Sequence, residues 1–209
     1  MCEHCVRPTA ACICNLAPRV QNDTEVLLLQ HPMERKHPKG TARLLHLSLT
    51  RSRMEEGEVW EPRLLQDMLY APWAEETGIP ALTLLLYPPL EADPGLPLLM
   101  PPTCTPQSIQ QAQRQGNLRL VVIDGTWRKS RKMLYLNSAL QRLPRLPLQQ
   151  IPPSRYAIRK AHQAGQLSTL EATYLALSQL EPSNHALEQL LDAMDNLQAR
   201  YQAQLTQRI

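Results

Sequence analysis

The chain has 209 residues, 43% of them hydrophobic, which is enough for one full-sized core and excludes a disordered protein. It contains no Phe and 19 Pro residues, so Leu must fill much of the core and many connections must be stiff. The net charge of +3 is too small to indicate nucleic acid by itself, and no apolar run is long enough to span a membrane. The N-terminus lacks the basic and then apolar pattern of a secretion signal, so we expect a cytosolic protein.

Short apolar strands are predicted to alternate with helices along the chain. The clearest strand covers 119–124, where β-branched residues are concentrated, and Gly116 before it is a typical helix stop. In chain order we predict an irregular segment (1–24), a strand (25–30), two helices (40–49 and 62–70), a strand (82–87), an irregular Pro-rich segment (90–106), a helix (107–115), a strand (119–124), a helix (127–136), a short strand (147–151) and two closing helices (168–180 and 185–208).

This alternation indicates an α/β fold with a mainly parallel sheet covered by helices on both faces. Apolar residues run continuously along the strands rather than alternating with polar ones, which is typical of strands buried on both sides. Ligands bind such sheets beyond the carboxyl ends of the strands. The predicted ends lie at His31, at Tyr87, at Asp124 and after Ile151.

Basic residues follow three of these strand ends. The clusters are Arg35, Lys36, His37, Lys39 and Arg43; Arg128, Lys129, Arg131 and Lys132; and Arg155, Arg159 and Lys160. A solvated helix face is enough to explain any one cluster. Three clusters in equivalent places favour a shared basic face suited to phosphates.

Four cysteines near the N-terminus have metal-ligand spacing. Cys2, Cys5, Cys12 and Cys14 form a C-x2-C-x6-C-x-C pattern, which offers two pairs of soft ligands to a tetrahedral Zn²⁺. Disulfides are disfavoured in a cytosolic protein, and packing as small hydrophobic residues fits poorly because the neighbouring residues are polar. We therefore predict a structural zinc ion with no open coordination position.

The turn after the third strand combines several unusual residues. The strand ends at Asp124, and Thr126 is a residue type preferred at the N-cap of a helix. Arg128 and Lys129 then occupy the first turn, where the helix macrodipole disfavours positive charge. A solvated basic helix would tolerate this at small cost, but a bound anion would offset it. The carboxylate and the nearby Trp127 favour the second interpretation and predict a functional site.

The last candidate motif has a complete structural explanation. Ser168-Thr169-Leu170-Glu171 is a capping box, in which Ser168 caps the helix and Glu171 reaches back to the free amide. Glu171 alone is therefore no indication of catalysis.

Taken together, these residues resemble the DTW-domain family, whose D-x-T-W signature is matched by Asp124-Gly125-Thr126-Trp127. The resemblance covers nearly the whole chain. Its other motifs, in order, are the C-x2-C-x-R-P-x3-C-x-C segment, His31-Pro32-x-Glu34 with Thr41 downstream, Tyr87-Pro88, Tyr156-x-Ile158-Arg159-Lys160 and Leu167-Ser168-Thr169-Leu170-Glu171-Ala172. Each motif is short, but their occurrence in sequence order is highly specific.

The family is similar to tRNA-uridine aminocarboxypropyltransferases with a fold related to the knotted SPOUT methyltransferases. The cysteine pattern predicts a small zinc-binding segment over 1–24, and the resemblance implies a catalytic domain over 25–209 with a SPOUT-like knotted C-terminal part. The resemblance also implies S-adenosylmethionine as the donor of a 3-amino-3-carboxypropyl group and N3 of a tRNA uridine as the acceptor. No metal needs to join this chemistry, and we expect neither a membrane nor an obligate protein partner.

The same resemblance implies roles for individual residues. We expect catalytic roles for Asp124, Thr126 and Trp127. We expect donor binding by Leu86, Tyr87, Pro88, Ile123, Asp124, Gly125, Arg159, Ser168, Thr169 and Glu171. We expect tRNA contacts from His31, Arg35, Lys36, Arg128, Lys129, Arg131, Lys132, Arg155 and Lys160.

Two roles are open to Asp124. Uracil N3 carries a proton and is a poor nucleophile at neutral pH, so a carboxylate whose pKa is raised by burial would serve as a base. Alternatively, the carboxylate would hold the ammonium group of the donor and aim its γ-carbon. Trp127 would stack on a base or line the donor pocket, or pack in the core.

The chain departs from the family pattern at two positions. Gly40 stands where the family usually has Asn, and Ala157 stands where it commonly has Arg, so a contact to donor or RNA is absent or supplied elsewhere. Two alternative functions stay open at this point. One is a SPOUT-like RNA methyltransferase that uses the same donor, and the other is a zinc-bearing RNA-binding protein without catalysis.

Overall fold

The computed structural model describes residues 1–73, 80–88, 101–158 and 166–206. The chain falls into two compact units, each built from separate stretches of sequence. The sheet unit contains Asp23–Glu34 and Arg51–Leu148, and the helical unit contains Met1–Asn22, Arg35–Thr50 and Gln149–Ile209. The chain therefore leaves and re-enters each unit.

A five-stranded parallel sheet forms the centre of the sheet unit. Its strands are β1 (Glu25–Gln30), β2 (Ser52–Glu56), β3 (Leu82–Leu86), β4 (Leu118–Asp124) and β5 (Arg145–Leu146). The order across the sheet is β2-β1-β4-β3-β5, so β1 and β4 are neighbours although β2 and β3 lie between them in sequence. The predicted α/β fold with a parallel sheet is confirmed.

The sequence does not predict β2. Its residues Ser-Arg-Met-Glu-Glu are mostly polar, and all of them are at least partly exposed. The strand pairs only with β1, at the edge of the sheet. An edge strand needs no apolar run, so periodicity gives no signal for it.

The strand predicted at 147–151 is wrong, since β5 ends at Leu146. The ladder between β3 and β5 is short: Leu85 donates its N–H to the carbonyl of Pro144 at 2.8 Å. Pro147 follows directly and has no N–H to continue this ladder. The apolar residues near Ile151 therefore indicate no strand.

The helices agree with the predictions in all but detail. They are α1 (Ala42–Ser48), α2 (Pro62–Tyr70), α3 (Pro106–Gln115), α4 (Trp127–Leu136), α5 (Ser138–Gln141), α6 (Thr169–Leu180) and α7 (Gln189–Thr206). A short 3-10 turn, His185–Glu188, precedes α7, and α5 is not predicted. No helix among the described residues has the length and apolar character needed to cross a membrane.

One face of the sheet packs against α2, α4 and α5. The buried residues of this cluster are Leu27, Leu29, Leu65, Leu69, Leu85, Tyr87, Val121, Met133, Leu134, Leu140 and Leu143. Strand residues that point to the other face, such as Leu28 and Leu120, are also buried. Burial on both faces explains why the strands read as continuous apolar runs.

Candidate functional site

The carboxyl ends of β1 and β4 meet at a topological switch point of the sheet. The chain leaves β1 for β2 on one side and leaves β4 for β5 on the other side. Connections that diverge in this way open a crevice, which is where open α/β sheets bind ligands. Gln30 and Asp124, the last residues of the two strands, are register partners at this point.

Asp124 is buried between the two strand ends, with 4% of its surface exposed. Its Oδ2 accepts a hydrogen bond from Nε2 of Gln30 at 2.8 Å. Its backbone carbonyl accepts the N–H of His31 at 2.9 Å, which extends the pairing of the two strands by one residue. The predicted catalytic carboxylate is therefore held by side-chain and backbone contacts from β1.

Sequence reasoning did not find Gln30. Its contact with Asp124 spans 94 positions in sequence. The signal that was available is its place at the end of a predicted strand, directly before His31. A polar residue that closes an otherwise apolar run is a reasonable candidate for a site at the sheet edge.

His31 is also buried and forms a chain of contacts with Glu58 and Lys132. Its Nδ1 accepts the backbone N–H of Met33 at 3.1 Å, so the ring proton lies on Nε2, which contacts Oε1 of Glu58 at 3.0 Å. The other carboxylate oxygen of Glu58 accepts from Nζ of Lys132 at 2.9 Å. The hydrogen bonds from Lys132 and then from His31 lower the pKa of Glu58 below its ordinary value.

The turn from β4 into α4 is tight. Thr126 is the N-cap of α4, as predicted, and its Oγ1 accepts the backbone N–H of Lys129 at 3.4 Å. A Cβ added at Gly125 would lie 3.2 Å from Cβ of Lys129 and 3.7 Å from Cβ of His31. The lack of a side chain at Gly125 therefore lets the first turn of α4 pack closely on the strand end, whereas His31 lies at an ordinary contact distance.

Aromatic side chains flank this turn. Trp127 is 49% exposed, and its ring meets that of Tyr87 edge-on, with centroids 5.8 Å apart. Tyr87 is buried, and burial raises the pKa of its hydroxyl, although Ser130, Arg131 and Arg145 act in the opposite direction. Trp127 is therefore partly open to a planar ligand rather than packed in the core.

The residues around Tyr87 and Asp124 that are predicted to bind the donor have different exposures. Leu86 is half-buried at the end of β3, and Pro88 is exposed just after it. Ile123 is half-buried and packs against the core cluster of the sheet unit.

Two lysines predicted to contact tRNA are already paired with acids. Nζ of Lys129 lies 2.7 Å from Oε1 of the buried Glu34, and Lys132 pairs with Glu58. The positive charge of Lys129 in the first turn of α4 is thus offset within the protein. Arg128 and Arg131 are exposed on the same helix.

Of the other residues predicted to contact tRNA, His31 is buried in the sheet unit, and the rest belong to the helical unit. Arg35 and Lys36 are exposed. Arg155 is exposed and forms an ion pair with Asp195 of α7. Arg159 and Lys160 lie outside the described residues.

The capping box at the start of α6 is confirmed. Oγ of Ser168 accepts the N–H of Glu171 at 3.2 Å. Both oxygens of Glu171 have donors: the hydroxyl of Ser154, the N–H of Arg155 at 2.7 Å and the N–H of Ser168 at 2.8 Å. Thr41 accepts the N–H of Leu170, so the first turn of α6 is capped by the protein itself, beside a half-buried Thr169.

The four N-terminal cysteines converge with the geometry of a metal site. Their Sγ atoms all lie within 4.8 Å of one another, with 3.6 Å between Cys2 and Cys14 and 3.7 Å between Cys5 and Cys12. Tetrahedral Zn²⁺ with thiolates at about 2.3 Å needs sulfur atoms roughly 3.8 Å apart. The donor set therefore fits zinc.

The pKa values of Cys2 and Cys14 are shifted in opposite directions. Backbone N–H groups of Cys5 and His4 lower the pKa of Cys2 to about 6. Burial, together with the neighbouring thiols, raises the pKa of Cys14 to about 12. Four adjacent thiolates repel one another, so a cation is needed to hold them all in the charged form.

Hydrogen bonds tie the cysteine segment to the rest of the helical unit. Arg7 donates to the carbonyls of Pro38 and Gly40 at 3.0 Å each. Arg200 of α7 donates to the carbonyls of Cys12 and Ala10. The segment is thus fixed to two separate stretches of the chain.

Comparison with known proteins supports the resemblance seen in the sequence. The family model of the DTW domain matches residues 1–202. Similar curated proteins include tRNA-uridine aminocarboxypropyltransferase A of Arabidopsis thaliana, which is 26% identical over 97% of the chain and 81% of its own length. Proteins named tRNA-uridine aminocarboxypropyltransferase 2 are 31% identical in Mus musculus and 29% in Drosophila melanogaster, with 98% and 96% of the chain covered.

The chain spans 65% of the length of the mouse protein and 74% of the fly protein. No solved structure matches the chain at a significant level.

Proposed function

Because the chain belongs to the DTW domain family, we propose that it transfers the 3-amino-3-carboxypropyl group of S-adenosylmethionine to N3 of a uridine in tRNA. The observation that carries this proposal is the position of the family signature. Asp124-Gly125-Thr126-Trp127 lies at the switch point between β1 and β4, where parallel sheets bind ligands.

In this reaction, N3 of uracil attacks the γ-carbon of the donor and forms a C–N bond. The C–S bond breaks, its electron pair goes to the sulfur, and the sulfonium leaves as neutral methylthioadenosine. The N3 proton passes to a base. Around the turn from β4 into α4, the protein supplies a buried carboxylate at Asp124, an exposed ring at Trp127 and exposed cations at Arg128 and Arg131.

We expect this chain to promote the transfer mainly by electrostatic stabilisation and by orienting the reacting groups. Asp124 would take the proton or hold the donor ammonium, and Trp127 would stack on a base of the RNA. Arg128 has no ion pair among the described residues and would meet a phosphate or the donor carboxylate. Lys129 and Lys132 would contribute less to the binding of phosphates, because Glu34 and Glu58 already neutralise their charges.

The cysteine cluster would hold a structural zinc ion in this scheme. All four positions of the metal would be filled by Cys2, Cys5, Cys12 and Cys14. Its role would be to order the N-terminal segment rather than to join the transfer.

The direct test is to incubate the purified protein with unmodified tRNA and S-adenosylmethionine and to analyse the nucleosides by mass spectrometry. We expect aminocarboxypropyl-uridine from the wild type and at least about a hundredfold less from Asp124→Asn, which removes the charge and keeps the shape. Asp67→Asn, on the exposed surface of α2, is the matched control and should keep full activity.

The other outcomes discriminate between functions. Methyl-uridine as the product would indicate the methyltransferase alternative. Binding of tRNA without any product, unaffected by Asp124→Asn, would indicate an RNA-binding protein and would overturn the proposal.

A further inference from the structure

Gln30 has a buried side chain in which the amide nitrogen has a hydrogen-bond partner and the amide oxygen has none among the described residues. It is 3% exposed, and its Nε2 donates to Oδ2 of Asp124. Its Oε1 has no hydrogen-bond partner in the part of the chain that the structure describes. The orientation of the amide follows from chemistry, because a carboxylate accepts from the NH₂ group and repels the amide oxygen.

This arrangement is a poor one for stability alone. A buried acceptor without a partner costs free energy, and an apolar residue at the same place in the strand would avoid that cost. The other residues of β1 that are buried at its centre, such as Leu28 and Leu29, are apolar. The chain thus keeps a polar side chain where its main contact is the carboxylate of Asp124.

We propose that Gln30 is a positioning residue, which holds the Asp124 carboxylate ionised and oriented to bind the ammonium group of the donor. This inference rests on the proposed function and names the group that Asp124 recognises. A donor N–H on a carboxylate oxygen favours its charged form, since the hydrogen bond is strongest to the anion. An anion kept in this form is better suited to hold a cation than to take a proton.

The neighbouring contacts support this choice. The backbone carbonyl of Asp124 accepts the N–H of His31, which fixes the position of the main chain from which the carboxylate extends. Both ring nitrogens of His31 are already hydrogen-bonded, one to Glu58 and the other to the N–H of Met33. The ring therefore donates no hydrogen bond to Asp124. Gln30 is therefore the side chain that sets the direction of the carboxylate from β1.

The test compares two ligands that differ in the proposed contact. S-adenosylmethionine carries the ammonium group, whereas methylthioadenosine shares the nucleoside and sulfur but lacks the whole aminocarboxypropyl arm, with that ammonium, and the sulfonium charge. Affinities of the wild type and of Gln30→Met for both ligands would be measured by isothermal titration calorimetry. We expect Gln30→Met to bind S-adenosylmethionine about tenfold to a hundredfold more weakly and methylthioadenosine with unchanged affinity.

Gln141→Met is the matched control, because Gln141 is similarly buried in the sheet unit but lies in α5. It should bind both ligands like the wild type. If Gln30→Met does not fold, Gln30→Asn keeps an amide but shortens the side chain by one methylene, which withdraws the N–H donor from Asp124. It should show the same selective loss.

Equal weakening of both ligands would assign Gln30 a structural role and overturn the inference, and unchanged affinity for both would do the same. In those cases the proposed function stands if the wild type still modifies tRNA. Failure of the wild type to bind S-adenosylmethionine would overturn the proposed function and this inference with it.

Discussion

Arg119 is fully buried at the start of β4, where its guanidinium is surrounded by acceptors. It donates to Oε2 of Glu25 at 2.6 and 2.9 Å and to the carbonyls of Met68 and Ala71 at 2.8 Å each. Trp73 lies over the same guanidinium, 4.7 Å from the ring centroid. Burial lowers the pKa of Arg119, and the pair with Glu25 counteracts this.

Removal of Glu25 should therefore destabilise the fold strongly. We expect Glu25→Ala to lower the free energy of unfolding by about 3–5 kcal/mol, because it leaves a buried cation without its partner. Urea denaturation followed by circular dichroism measures this change. Arg155→Ala removes an exposed ion pair instead and should cost at most about 1 kcal/mol. Similar losses in the two variants would show that burial does not decide the cost.

Single residues of the site could be predicted from sequence only where the signal is local. Asp124 and Thr126 were recognisable, because a strand end and a helix N-cap depend on adjacent residues. The side-chain contacts that join distant parts of the chain at the site were not recognisable. Gln30 and Asp124 are 94 positions apart, and Glu34 and Lys129 are 95 apart. Such pairs follow from the order of the strands, which periodicity does not encode.

At the scale of elements, α3 ends as its sequence predicts. Gly116 has φ +68°, and its N–H bonds to the carbonyls of the last turn. A Cβ added there would meet nothing within 4 Å, so the cost of Gly116→Ala is conformational rather than steric. We expect a loss of about 1 kcal/mol in thermal or chemical unfolding. Gln111→Ala, exposed on the same helix, should change stability by no more than about 0.5 kcal/mol.

The start of α6 depends on its cap in a different way. Ser168→Ala removes the acceptor for the N–H of Glu171 and should cost about 1 kcal/mol. Glu171→Ala should cost more, since Ser154, Arg155 and Ser168 would all lose their acceptor. Denaturation curves of the two variants give this order. If Glu171→Ala lowered the stability less than Ser168→Ala, the hydrogen bonds to its carboxylate would contribute little to the free energy of unfolding.

The sequence predicted those elements that have a strong pattern of their own. β1, β3 and β4 are apolar runs, and α2 and α4 begin and end as expected. The misses are β2, which is a polar edge strand, β5, which is two residues long, and α5, which is a single turn. Each takes its conformation from neighbours rather than from its own residues. The SPOUT-like knot and the boundary at residue 24 remain predictions.

At the scale of the whole molecule, the cysteine cluster gives the clearest test. We expect about one Zn²⁺ per chain by elemental analysis, released by strong chelators. Cys12→Ser should lose the metal and lower the free energy of unfolding by about 3 kcal/mol or more, because metal binding and folding are coupled. Cys104→Ser, outside the cluster, is the control and should retain both metal and stability. Full stability of Cys12→Ser without bound metal would contradict a structural zinc site.

The ties between Arg200 and the cysteine segment have a consequence for synthesis on the ribosome. Cys12 and Arg200 are separated by 188 positions. At about 5–20 residues per second, the segment waits roughly 10–40 s after its own translation before its partner helix is made. During that interval the segment lacks the hydrogen bonds that Arg200 supplies to its backbone. Early capture of a metal ion by the nascent chain would hold the four cysteines together until the C-terminal helix is made.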